Sequence, residues 1–227
     1  NGQVEAAARP GREAPVRLLR AATRLESLDV RLARDTYLQA WWAAVLAGEF
    51  AAPGGGLVDV SRAVRSAPPA ADPRVCDLLL DGLATVITEG REAAAPGLRV
   101  AIDLFRTAQV SDDDWIQWGR SATTAAFALW DVENWAELST RQVERARSSG
   151  ALSSLVLALN LHVFGMTCLG DFGAATSLVT EQNAVREATG IRMASYGARL
   201  LAAYQGRPAD LAQIEAVSMD VASAYTE

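Results

Sequence analysis

One histidine, two cysteines, no lysine and six tryptophans limit what the side chains of this 227-residue chain can do. All 21 basic residues are arginine, so there is no amine for a Schiff base and no P-loop phosphate ligand. Gly54-Gly55-Gly56 could cradle a phosphate only after a strand and before Gly-Lys-Ser/Thr, and neither context is present. His162 lies in an apolar run beside Leu159 and Met166, where a neutral histidine with one hydrogen bond is the plain reading and a ligand contact the alternative. With Cys76 and Cys168 far apart and a single histidine, no transition-metal set can be assembled. Asp112-Asp113-Asp114 precedes a helix and reads as capping plus helix-dipole complementation, because a calcium loop needs oxygen ligands at alternating positions. No GxSxG motif and no second histidine exist to build a triad. The expectation is a non-enzyme without cofactor or metal.

The tryptophans are the exception to this blandness. Trp41 and Trp42 sit mid-helix with Tyr37 one turn earlier, Trp115 and Trp118 open another helix, and Trp130 and Trp135 bracket that helix's turn. Adjacent residues on a helix point about 100° apart, so Trp41 and Trp42 can serve different neighbours. Two readings stand: packed core, or a groove for an apolar ligand or partner helix, since aromatic anchors dominate such sites. The candidate groove residues are Tyr37, Trp41, Trp42, Trp115, Trp118 and His162.

The elements that must position them are helices. Leu98, Ala101, Ile102 and Phe105 follow i, i+3, i+4, i+7 spacing, as do Leu38, Trp41, Trp42 and Val45, and no convincing strand alternation occurs. Asp72-Pro73 reads as a helix start, Ser111 to Asp114 as a capping box, and Gly150 and Gly190 as helix ends. The expected helices are 14–26, then pairs 28–47 with 57–66, 73–89 with 91–107, 112–130 with 133–148, 151–169 with 172–189, and 191–205 with 208–224. Their inner turns fall near 48, 90, 131, 170 and 206, in steps of 42, 41, 39 and 36 residues. About eleven helices in about five hairpins at a period near 40 predict an all-α, tetratricopeptide-like (TPR-like) α-solenoid. Residues 1–13 are expected to be disordered or extended, and 14–227 to form one repeat domain. The first helix of each pair is apolar nearly all round and the second amphipathic, so first helices are expected to form the inner layer. The third turn, Trp130-Asp131-Val132, lacks the glycine of the others and must pack differently.

Net charge is −6 and the pI about 4.9, which opposes a direct grip on nucleic acid. No apolar run approaches the roughly 20 residues of a membrane span, and the polar start NGQVEAAARPGREAP has no signal core. Unpatterned cysteines fit a reducing cytoplasm.

Residues 18–29 (LLRAATRLESLD), 32–40 (LARDTYLQA), 60–69 (VSRAVRSAPP), 77–84 (DLLLDGLA), Leu129-Trp130-Asp131 and 141–152 (RQVERARSSGAL) resemble, in that order and over nearly the whole chain, the middle part of the large ATP-binding regulators of the LuxR family. In that family an ATP-binding module precedes a helical-repeat region and a helix-turn-helix follows it. The resemblance implies a regulatory repeat region, in an actinobacterium-like cytoplasm, that senses a small apolar ligand or a protein and relays the signal to the other domains of the same regulator. The family's ATPase and DNA-binding residues match no position here. A scaffold or homo-oligomerisation module without ligand is the alternative.

Overall fold

A computed structural model describes residues 11–107, 109–191 and 195–207. Among them are ten α-helices and no strand. The helix expected at 208–224 lies outside the described residues, as do residues 1–10. The helices group into two compact units, one ending at Asp114 and the other beginning at Trp115.

In the first unit, α1 is Ala14–Leu25, α2 Val30–Ala47, α3 Leu57–Ser66, α4 Val75–Thr88 and α5 Arg91–Arg106, with a 3₁₀ turn at Gly48–Phe50. Helix α2 packs on α1, α3 and α4, and α4 on α3 and α5. In the second, α6 is Asp112–Ala128, its first turn at the boundary, followed by α7 Val132–Ser148, α8 Leu152–Cys168, α9 Phe172–Thr189 and α10 Tyr196–Tyr204. Helix α8 packs on α7, α9 and α10. It buries nine residues, from Leu155 and Val156 to Gly165 and Thr167, and leaves the stripe Leu157, Leu161, Phe164 and Cys168 half-buried, whereas α9 buries only Ala175 and Gln182. This is the inner and outer division expected from the apolar pattern.

The turns within the helix pairs hold residues with a left-handed backbone, Gly48 (φ 53°) and Gly54 (81°), Gly90 (96°), Trp130 (57°) and Gly170 (80°), and Gly206 (63°) follows α10. Glycine adopts this region without a Cβ clash, while a bulky residue is strained there. Trp130 is the one non-glycine so placed among the described residues. Its ring packs at 5.8 Å from Phe127, which also meets Trp135 at 4.7 Å and Phe164 at 6.4 Å. That aromatic knot is how the third turn departs from the others. The residue after the turn then starts the next helix: Asp131 accepts from the Asn134 N–H at 3.2 Å, and Asp171 from the Ala174 N–H at 2.9 Å. Asp29 does the same for Leu32 at 3.0 Å, and Ser111 for Asp114 at 3.1 Å. Each carboxylate or hydroxyl satisfies an amide that has no partner inside the helix.

One expected boundary is corrected. Helix α4 begins at Val75, not at Pro73, and Asp72 does not cap it. The Asp77 carboxylate instead reaches back to the Arg74 N–H at 2.8 Å and fixes the start two residues later.

Candidate functional site

Tyr37, Trp41 and Trp42 all lie on α2 in the first unit and are buried. The Tyr37 hydroxyl donates to Glu26 and lies 3.3 Å from the Thr23 hydroxyl. Burial and the Glu26 carboxylate raise its pKa. The Trp41 and Trp42 rings meet edge to face at 5.4 Å. Trp115, Trp118 and His162 are buried in the second unit. His162 Nδ1 lies 2.7 Å from Ser139 Oγ, tying α8 to α7. Burial, and then the positive charge of Arg147, lower the imidazole pKa, so it is neutral at pH 7. This pair has no carboxylate orienting it in the manner of a triad, and the Ser139 hydroxyl also faces the Ala136 carbonyl at 3.1 Å.

Of the six, Trp115 also lines a cavity. The cavity holds about 260 Å³ between α6, α7 and the start of α8, and its walls include Trp115, Arg120, Gln142, Arg145, Ser154 and Leu157. The Arg145 guanidinium sits 5.2 Å from the centre of the Trp115 ring, a cation–π contact. Burial pulls the Arg120 guanidinium down to about 10, still charged at neutral pH. The Thr123 hydroxyl, bonded to the Gly119 carbonyl at 3.0 Å, also meets Gln142 Oε1 at 3.3 Å and so orients that amide. The walls thus combine two guanidinium groups, an amide and the Ser149 and Ser154 hydroxyls with the edge of a Trp115 ring that is 4% exposed.

The other concentration of charge is in the first unit. Arg34 on α2 donates from Nε to Asp77 Oδ1 at 2.7 Å, from Nη2 to the Asp77 carbonyl at 3.2 Å, and pairs with Asp81 at 2.7 Å. Arg74 adds bonds to Asp77 at 3.0 Å and to Asp35 at 2.8 Å. Cys76 lies within this cluster; burial, and then the Asp77 charge, push its thiol up to about 12, which makes it a poor nucleophile. The cluster fastens α4 to α2. Among the described residues, no group of three His, Cys, Asp or Glu side chains could hold a metal, and no helix is long and apolar enough to cross a membrane.

The sequence reading reached Trp115 but passed over Arg120, Gln142 and Arg145. The available signal was Arg120, the one charge in the small-residue stretch Gly119-Arg120-Ser121-Ala122. No family model matches this chain, and no curated protein or solved structure matches it either.

Proposed function

We propose that this chain is a regulatory helical-repeat module, TPR-like and solenoid in type, of the kind its sequence resembles in the ATP-binding LuxR-family regulators. In this reading it senses a small ligand or a protein partner and relays the event to ATPase and helix-turn-helix modules outside these residues. The supporting observation is a recurrence. A left-handed residue stands at 48, 90, 130, 170 and 206, with others at 54, 150 and 190, and two of the first helices pack on the first helix of the next pair, α2 on α4 and α8 on α10. In such an array each repeat touches mainly its neighbours, so small changes at each junction add up. A ligand shifts the array between states by its differential affinity for them.

The scaffold reading has its own support. Leu28, in the turn before α2, is 79% exposed and Leu32, in the first turn of α2, 49%, as an apolar spot for a second protein would be. Thermal-shift and light-scattering measurements on the full chain separate the two. A sensor is a monomer whose melting temperature rises saturably with some members of a metabolite panel. A scaffold associates and responds to none of them.

A further inference from the structure

We propose that the outer face of α1 docks an acidic amphipathic helix of a separate partner protein, which sets carboxylates against Arg20 and Arg24 and apolar side chains over Leu28. This deepens the protein-partner reading above and rests on it, and it uses the first unit alone.

The face is written in one helix. Arg17, Arg20 and Arg24 recur at i, i+3 and i+7, so they share one side of α1, opposite the buried Pro15 and Ala22. The Asp29 N–H donates to the Leu25 carbonyl at 2.8 Å. The helical path therefore runs on past the end of α1 and sets Leu28 one turn beyond Arg24 in the same row. Leu28 is 79% exposed, more than any other large apolar side chain among the described residues. Leu32, 49% exposed with Arg31 before it in sequence, opens α2 just beyond. Most of the charge in the row is uncommitted. Arg17 pairs with Glu13 at 2.6 Å. Arg20, Arg24 and Arg31 are exposed, and among the described residues their guanidinium groups enter no hydrogen bond or ion pair. The acids nearest in sequence are engaged elsewhere: Glu26 accepts from the Tyr37 hydroxyl and Asp29 from the Leu32 N–H. A positive row thus stands on a chain of net charge −6, a local reversal of sign that steers and orients an acidic partner. From Arg17 to Leu28 the row spans roughly 16 Å, three helical turns, the length over which a partner helix repeats its own contacts. Arginine suits such a contact, because its fork matches a carboxylate and it is enriched at interfaces where lysine is depleted. A nucleic acid backbone would neutralise the arginines but leave Leu28 and Leu32 in water, so a peptide helix fits the face better.

The test titrates the full chain into a fluorescein-labelled synthetic helix of about five turns, glutamate-rich with leucine at i, i+3, i+4 and i+7, and reads anisotropy. Binding is expected to saturate with a Kd below about 1 mM and to weaken as salt rises. Arg20→Glu and Arg24→Glu are each expected to weaken it roughly fivefold, and Leu28→Ser about tenfold. Arg99→Glu is the control: Arg99 is an exposed arginine on α5, equally without a partner, and its reversal is expected to change the Kd less than about twofold. All four side chains are exposed, so helical circular dichroism is expected to hold in every variant. The proposal is overturned by any of three results: no saturation below about 1 mM, Arg99→Glu weakening binding as much as Arg24→Glu, or a peptide with alanine for leucine binding as tightly. Duplex DNA or phosphatidylserine vesicles binding more tightly than the peptide, with the same arginine dependence, overturns the partner class. Self-association of the chain alone that Leu28→Ser abolishes makes the occupant a second copy and overturns it as well. A failed peptide titration beside self-association that Leu28→Ser leaves intact removes this face and leaves the scaffold reading standing.

Discussion

Removing the Asp77 carboxylate tests whether the buried charge cluster fastens α4 to α2. Arg34 and Asp77 are 3% and 1% exposed, so the pair is almost wholly out of water. Taking away one partner of a buried pair strands the other charge and costs about 3–5 kcal/mol. Arg34 keeps Asp81, whose side chain is 43% exposed, and that places Asp77→Ala near the lower end, about 3 kcal/mol. Loss of the carboxylate that accepts the Arg74 N–H adds about 1 kcal/mol. Out of a typical stability of about 5–15 kcal/mol this is a large fraction. Urea unfolding at 222 nm measures it, with hydrogen exchange assigning the loss to α2 and α4. The double replacement Arg34→Met with Asp77→Leu removes both charges and is expected to recover most of the loss, because apolar side chains of similar volume need no desolvation of ions. A cost below about 1 kcal/mol for Asp77→Ala, or a double variant worse than the single, would refute the argument.

The same carboxylate sets an acid limit. Burial alone would raise the Asp77 pKa, but hydrogen bonds from Arg74 and Arg34 outweigh it and hold the group below the ordinary 3.8. A depressed folded-state value means that the stabilisation is complete above 3.8 and is lost as pH falls through the lower folded value. Asp77→Asn is expected to remove that part of the acid unfolding curve.

The other predictions concern single sites in the second unit and one control. A Cβ on Gly197 would lie 2.8 Å from the Asn160 carbonyl oxygen and 2.8 Å from Val163 Cβ, so Gly197→Ala must push α10 off α8, at about 1–3 kcal/mol. Gly97→Ala, with no atom within 4 Å of the new methyl in α5, is expected to stabilise by about 0.5–1 kcal/mol; thermal melts compare the two. Ala175 is fully buried against Val163 and Leu201, and Ala175→Leu is expected to overpack that contact by about 1–3 kcal/mol in the same assay. His162 is the chain's one histidine, so its resonance in a proton NMR titration needs no labelling to assign. With a folded pKa below 6.5, its contribution is complete above 6.5 and lost as pH falls from there through the folded value; His162→Gln is expected to flatten stability over that window.

Local signals in this chain are written where local physics decides. Gly48, Gly90, Gly170 and Gly206 mark the turns because the backbone there is left-handed, and Ser111 marks a helix start because its hydroxyl has an amide to satisfy. The helix at 57–66 and the helix at 172–189 therefore agree with expectation at both ends. Asp72-Pro73 misled because the winning cap, Asp77, is chosen by two arginines, one of them 43 residues away in sequence. The candidate site was legible only in part for the same reason. Trp115 is conspicuous by type, but Arg120 and Arg145 become neighbours of one cavity only when α6 and α7 fold together, and no periodicity records that. The tryptophan pair on α2 shows the converse limit: residue type announced an anchor without saying whether it faces ligand or core.

Hydrogen exchange on a Leu159→Ala variant tests the stacked-hairpin account most directly. Leu159 is fully buried in the cluster with Val143, Ala146, Leu155 and Ala158, and its truncation costs about 2–5 kcal/mol. If each hairpin is held mainly by its neighbours, exchange quickens in α7, α8 and α9 and is unchanged in α1 and α2. Equal acceleration in all ten helices would mean one cooperative core, and would contradict the account.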